Sequence, residues 1–193
     1  MTDIAALRTR LRQRRAAVSP TDRADAGRRI AHCLRGLHLL RPRARIAVYL
    51  PTPTEVDCWP TILAAQRNGC ALYAPVISDY AHRRMRLCPL HPPLSTNRYG
   101  IDEPADADWL DPRWCQVILL PLLGFDQLGN RLGMGAGYYD RLLRFRALRR
   151  RWRGPLLIGL GYEAQRCPAL TPKTHDIQLD AVVTESGIRR FWR

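Results

Sequence analysis

Residues 129–141, GNRLGMGAGYYDR, carry the most chemically suggestive spacing in the chain. Gly133, Gly135 and Gly137 alternate with Leu132, Met134 and Ala136, Arg131 stands in front, and Tyr138, Tyr139 and Asp140 follow. Glycines at every second position let a backbone approach an anion closely and turn its N–H groups toward it. Arg131 would offer a fork to phosphate oxygens, and Asp140 a hard oxygen ligand to a cation held against them. A helix starting near residue 138 would add positive potential at its N-terminus. The segment equally suits a glycine-rich turn or an open loop tip, so the residues alone leave a phosphate cradle as one of three readings. It is neither a P-loop, which needs G-K-[ST] after the glycines, nor a dinucleotide fingerprint, which needs G-x-G-x-x-G directly after a strand.

The elements that would position this loop are legible from periodicity. Residues 3–17 predict a helix, and a second begins at Ser19, a good N-cap, with Pro20 at the first helical position. RIAVYL (45–50) predicts a buried strand, 56–69 a mostly helical segment stopped by Gly69, and CALYAP (70–75) the next strand, together a β-α-β unit. MRLCPL (85–90), QVILLP (116–121), LLIGLG (156–161) and AVVT (181–184) predict further strands, and 138–151 a helix. Strands alternating with helices predict an α/β fold, a largely parallel sheet with helices on both faces. Ligands in such sheets gather at the carboxyl ends of strands. PTPTEVD follows RIAVYL and the glycine segment follows QVILLP, so the two loops are expected to converge on one crevice.

Composition excludes whole classes of function. With 46% hydrophobic and 25% charged residues the chain is globular rather than disordered, and 193 residues suit a single domain, 1–193. The cysteines, Cys33, Cys58, Cys70, Cys88, Cys115 and Cys167, show no C-x-x-C pair and no zinc spacing, and read as small hydrophobes in a reducing compartment. The charged N-terminus lacks an apolar signal region, and VILLPLLGF is too short to span a bilayer, so a soluble cytoplasmic protein without membrane contact is expected. The net charge of +14 raises a nucleic-acid-binding alternative. Nearly all of it is arginine, densest over Arg8 to Arg15 and Arg144 to Arg153, with no zinc-finger or RNP pattern, so nonspecific, salt-sensitive binding is the form it would take.

PLLGFDQLGNRLGMGAGYYDRLL closely resembles the signature of the 5-formyltetrahydrofolate cyclo-ligase family. LRTRLRQRRAAVSP, YLPTPTEVD, LYAPV, RYGIDEP and THDIQLDAVVTE occur in family order and extend the resemblance over nearly the whole chain. It implies a Rossmann-like three-layer sandwich of the NagB/RpiA/CoA-transferase-like type. It also implies an enzyme that uses ATP with Mg2+ to convert 5-formyltetrahydrofolate to 5,10-methenyltetrahydrofolate through a phosphorylated formyl oxygen, with no obligate protein partner. The work would then be positioning and charge stabilisation rather than nucleophilic catalysis.

Carried over by position, the resemblance implies nucleotide binding by Arg8, Arg131, Leu132, Gly133, Met134, Gly135, Ala136, Gly137, Tyr138 and Tyr139, with Arg131 also catalytic. It implies folate binding by Leu50, Glu55, Met85 and Tyr99 together with Met134, Gly135, Ala136, Gly137 and Tyr138, and magnesium binding by Asp140 and Asp176. Several have an ordinary alternative: core packing for Met85 and Tyr99, helix-cap support ahead of residue 57 for Glu55, helix N-terminal charge compensation for Asp140, a capped turn beside His175 for Asp176, and a solvated basic face for the Arg8 cluster. Asp102 and Glu103 look like part of a loop turn and receive no catalytic role. In one departure Ile4 stands where the family commonly has a lysine that reaches phosphate, leaving Arg8 or Arg12 to substitute. In another, Ala136 stands at a position that varies between glycine and lysine. A diverged relative that keeps the loop without the reaction is the alternative within the fold.

Overall fold

The computed structural model describes residues 3–105, 108–148, 154–173 and 176–191. Helix α1 (Ile4–Ala16) starts at Asp3, whose carboxylate accepts from the N–H groups of Ala5 and Ala6 at 2.9 and 3.3 Å. Helix α2 (Pro20–Gly36) starts as the sequence predicts, with Ser19 Oγ accepting from Asp22 N–H and Pro20 at the first helical position. Strand β1 (Arg45–Ala47), helix α3 (Trp59–Arg67) and strand β2 (Ala71–Asp79) complete the β-α-β unit, with β1 and β2 parallel. The remaining strands are β3 (Arg84–Pro89), β4 (Leu94–Thr96), β5 (Asp102–Pro104), β6 (Val117–Pro121), β7 (Gly124–Phe125), β8 (Arg131–Leu132), β9 (Leu156–Leu160), β10 (Ala181–Thr184) and β11 (Gly187–Arg190). Helices α4 (Tyr138–Leu142) and α5 (Phe145–Leu148) lie between β8 and β9.

Seven strands form the main sheet in the order β11-β10-β9-β6-β1-β2-β3. Its five inner strands are parallel, and β11 and β3 close the edges antiparallel. Because side chains alternate across a strand, β6 and β9 serve two cores. Val117, Leu119, Ile158 and Leu160 pack with Ile30 and Leu34 of α2 and Ile62 of α3, while Ile118, Leu120 and Leu157 pack with Leu143 and Phe145 on the opposite face. The result is the three-layer α/β arrangement. Helix α1 belongs to neither layer: its Leu7 and Leu11 form a third cluster with Leu123, Leu132, Cys167 and Leu170 around the short β7–β8 hairpin.

Four predicted elements differ. The helix expected over 138–151 breaks after Leu142, and α5 follows, with residues 149–151 outside the described set. Leu143 and Phe145 are both buried, and in one continuous helix, two residues or about 200° apart, they would face opposite sides; the break turns both into the core. Pairing of β1 ends at Ala47, short of residue 50, because the chain leaves the sheet toward the Pro51–Pro53 loop after a last bond from Val48 N–H to Tyr73 O at 2.8 Å. Strand β2 runs past residue 75 because its far half forms a hairpin with β3. Asp102 and Glu103 belong to strand β5, not to a turn, because β4 pairs with them. The six cysteines are all free.

Candidate active site

The glycine segment leaves the β7–β8 hairpin, and a buried polar hub sets the hairpin's shape. The Asp126 carboxylate accepts from the N–H groups of Leu128, Asn130 and Leu170 at 2.9 Å each and from Asn130 Nδ2 at 2.8 Å. Gln178 Nε2 donates to Asn130 Oδ1 at 2.9 Å, tying the segment before β10 to the same turn. Neither Asp126 nor Asn130 is among the residues that the sequence points to as a site. The signal was present in the D-x-x-G-N turn, where Asp folds back on its own backbone and Gly129, at φ +80, takes the left-handed position.

Beyond β8 the backbone reverses at Gly135 (φ +103) and Gly137 (φ +73), conformations that residues with a Cβ rarely adopt. A Cβ at Gly137 would also lie 2.7 Å from Arg141 Nη1, which donates to Ala136 O at 2.9 Å. Arg8 of α1 donates through Nε to Gly133 O at 3.3 Å, and Arg83 reaches Ala136 O at 3.5 Å. Three guanidinium groups from three parts of the chain therefore hold this loop. The expected contribution from a long following helix is absent: α4 has five residues, too short to build a substantial macrodipole.

Arg131 is nearly buried and forms a short ion pair with Asp140 through Nη2 and Oδ1. Asp176 accepts from Lys173 N–H at 2.8 Å; His175 lies outside the described residues. Among the described residues no three His, Cys, Asp or Glu side chains converge as a metal cluster. Mg2+ commonly takes one or two carboxylates and completes its shell with phosphate and water oxygens. Asp140 and Asp176, on the wall of one cavity, supply that donor set, so the residues present fit such an ion.

The second half of the site is the loop after β1. Glu55 Oε2 accepts from Thr52 N–H at 3.0 Å, and the Glu55 carbonyl accepts from the Tyr162 hydroxyl at 2.9 Å. Tyr49 donates to Val56 O at 3.0 Å, and Arg23 clamps Pro53 O. The cap-support alternative for Glu55 does not hold, because Asp57 accepts from Trp59 N–H at 2.9 Å at the start of α3. Burial lifts the Tyr139 phenol above its ordinary range, with Glu55 adding to the rise and Arg131 opposing it. Leu50 and Met85 are buried, whereas Tyr99 is 52% exposed and meets the Tyr138 hydroxyl at 3.4 Å. Asn97 holds Tyr99 there, accepting from its N–H at 2.8 Å.

One cavity of about 1460 Å3 joins these halves. Arg8, Leu50, Glu55, Met85, Asp140, Asp176 and every residue from Arg131 to Tyr139 line it; Tyr99 stands beside it. It exceeds the roughly 300–1,000 Å3 typical of a single small-molecule pocket. Ile4 lines it as well, an apolar wall where a cation would reach phosphate; Arg8 is present beside it, whereas Arg12 is exposed and away from the wall.

Fold and site together define an α/β domain with a basic crevice at the carboxyl ends of its parallel strands. The profile of the 5-formyltetrahydrofolate cyclo-ligase family matches residues 1–185. The chain belongs to that family, and by membership it is an enzyme of the ligase class. It is 32% identical over 184 residues to the 5-formyltetrahydrofolate cyclo-ligase of Escherichia coli K12, covering 92% of this chain and 98% of that protein. The mouse protein of the same name is 28% identical over 190 residues, covering 94% and 93%. The solved 5,10-methenyltetrahydrofolate synthetase of Aquifex aeolicus superposes with a TM-score of 0.80 at 28% identity, covering 98% of this chain and 93% of that one.

Proposed function

We propose that this protein converts 5-formyltetrahydrofolate to 5,10-methenyltetrahydrofolate with conversion of ATP to ADP and phosphate, in the presence of Mg2+. The observation that carries the reading is the single cavity shared by the glycine loop and the Glu55 loop, in a chain of this family. A formamide is a poor electrophile and its oxygen a poor leaving group. Transfer of the γ-phosphoryl group to the formyl oxygen releases ADP and leaves a carbon that N10 of the same folate attacks. N10 loses its proton, the C–O bond breaks and phosphate departs, closing the ring.

The chain's groups suit these steps. Backbone N–H groups from Leu132 to Tyr139 and the Arg8 side chain would hold the triphosphate, and Arg131 would meet charge developing on the transferred group. Asp140 and Asp176 would hold Mg2+, which when bound neutralises phosphate charge. Glu55 would accept the paired N–H donors of the pterin, with Leu50 and Met85 as apolar walls and Tyr99 and Tyr138 at the mouth. Residues 1–193 acting as one domain in the cytoplasm complete the proposal. The free thiols support that compartment, and among the described residues no helix is long and apolar enough to cross a membrane.

Incubation with 5-formyltetrahydrofolate, Mg2+ and ATP tests the reading. Methenyl absorbance should appear only when all three are present, with one phosphate released per product. Equal product without ATP or divalent cation overturns the phosphorylation route. Nucleotide binding with no product identifies a diverged relative.

A further inference from the structure

Helix α1 buries a stripe at four-residue steps, Leu7, Leu11 and Arg15. The first two pack on the β7–β8 hairpin, as an amphipathic helix should. The third position calls for another apolar side chain and holds an arginine instead, 6% exposed. A buried guanidinium is strongly unfavourable unless its charge and its N–H groups are met. The only counter-charge recorded for it among the described residues is Glu55, with Arg15 Nη1 lying 3.5 Å from Glu55 Oε1. Neither Nε nor Nη1 of Arg15 finds a hydrogen-bond partner there. Arg15 does not line the cavity, whereas Glu55 does.

We propose that Arg15 is a positioning residue for Glu55: it holds the carboxylate from behind, so that Glu55 presents an oriented acceptor to the N–H donors of the substrate. The claim rests on reading Glu55 as the folate-side acceptor. Two contacts restrain that carboxylate. Thr52 N–H takes Oε2 at 3.0 Å, and Arg15 approaches Oε1, so rotation of the carboxylate would separate one oxygen from its partner. The same helix carries Arg8, seven residues or about 10 Å earlier, against Gly133 O of the glycine loop. One rigid element thus touches both loops, and Arg15 is its contact on the substrate side.

Steady-state kinetics on Arg15→Met, Arg15→Lys, Glu55→Gln and the Arg15→Met/Glu55→Gln double variant test this, with Arg14→Met as a control for loss of one exposed charge on α1. Arg15→Met is expected to raise the KM for 5-formyltetrahydrofolate by about tenfold or more, the loss of one charge-assisted contact. Its kcat and its KM for ATP should stay within about twofold. Arg15→Lys should recover part of the loss, and Arg14→Met should change nothing. In the Glu55→Gln background Arg15→Met should add less than about threefold, since coupled partners are not additive. Independent, multiplying effects overturn the proposal. So does an unchanged folate KM in Arg15→Met, or a matching rise in Arg14→Met. A purely structural role would lower kcat and melting temperature with both KM values raised together. If Arg15→Met does not fold, the same split between the two KM values in Arg15→Lys decides. If Glu55→Gln itself leaves the folate KM unchanged, the reading of Glu55 fails, and that result is separate from any result at Arg15.

Discussion

Two carboxylates that line one cavity are asked to do different chemistry. Asp140 is joined to Arg131, so a side chain proposed for the cation and one proposed for phosphate already form one unit. The Glu55 carboxylate instead accepts from Thr52 N–H and faces Arg15. The expected outcome is a double dissociation. Asp140→Asn should weaken Mg-ATP binding about tenfold or more while folate binding holds, because an amide is a poorer ligand for a hard cation. Glu55→Gln should weaken folate binding by about ten- to a hundredfold while nucleotide binding holds, because an acceptor-only group becomes one that must also donate. Calorimetric titration of each variant with each ligand measures both effects. The reverse pattern would exchange the two ligands between the two loops.

At the scale of elements, the β7–β8 hairpin gains its rigidity from Asp126 rather than from its own two-residue strands. Asp126→Ala would leave three backbone N–H groups and the Asn130 amide without this acceptor inside the protein. That should cost roughly 2–4 kcal/mol of stability. Because the hairpin feeds directly into Gly133, the variant should also raise the KM for ATP more than the KM for folate. Denaturant unfolding and the two KM values check this together. Equal change in both constants would mean that the hub supports the fold in general rather than the glycine loop.

For the whole molecule, +14 net charge surrounds a site proposed for two anionic substrates. Arg8, Arg83, Arg131, Arg141 and Lys173 all line the cavity, so part of this charge acts where the substrates enter. Raising salt from about 0.05 M to about 0.5 M shortens the screening length severalfold. Both KM values should therefore rise several-fold while kcat changes little, since screening acts on approach more than on the enclosed step. Salt-independent KM values would assign the charge to something other than substrate capture. Retention on RNA that disappears over the same salt range would report the same surface acting nonspecifically.

Local patterns determined much of this protein. Ser19 and Pro20 start α2, the apolar runs form the parallel strands, and the spacing of Gly133, Gly135 and Gly137 marks the loop, because each signal lies within a few residues. Placing two loops at the carboxyl ends of strands also predicts that Glu55 and Arg131 share one crevice, and both line the same cavity. Only the tertiary structure decided where α1 packs, and so that Arg15 is buried beside Glu55. In sequence Arg8, Arg12 and Arg15 share one basic cluster, and the family resemblance singles out Arg8 but says nothing of Arg15. Packing of Leu7 and Leu11 on the hairpin turns Arg8 to Gly133 and Arg15 toward Glu55 and leaves Arg12 in solvent. The break after Leu142 was hidden for the same reason: helix propensity is local, but the demand that both Leu143 and Phe145 reach the core comes from strands distant in sequence.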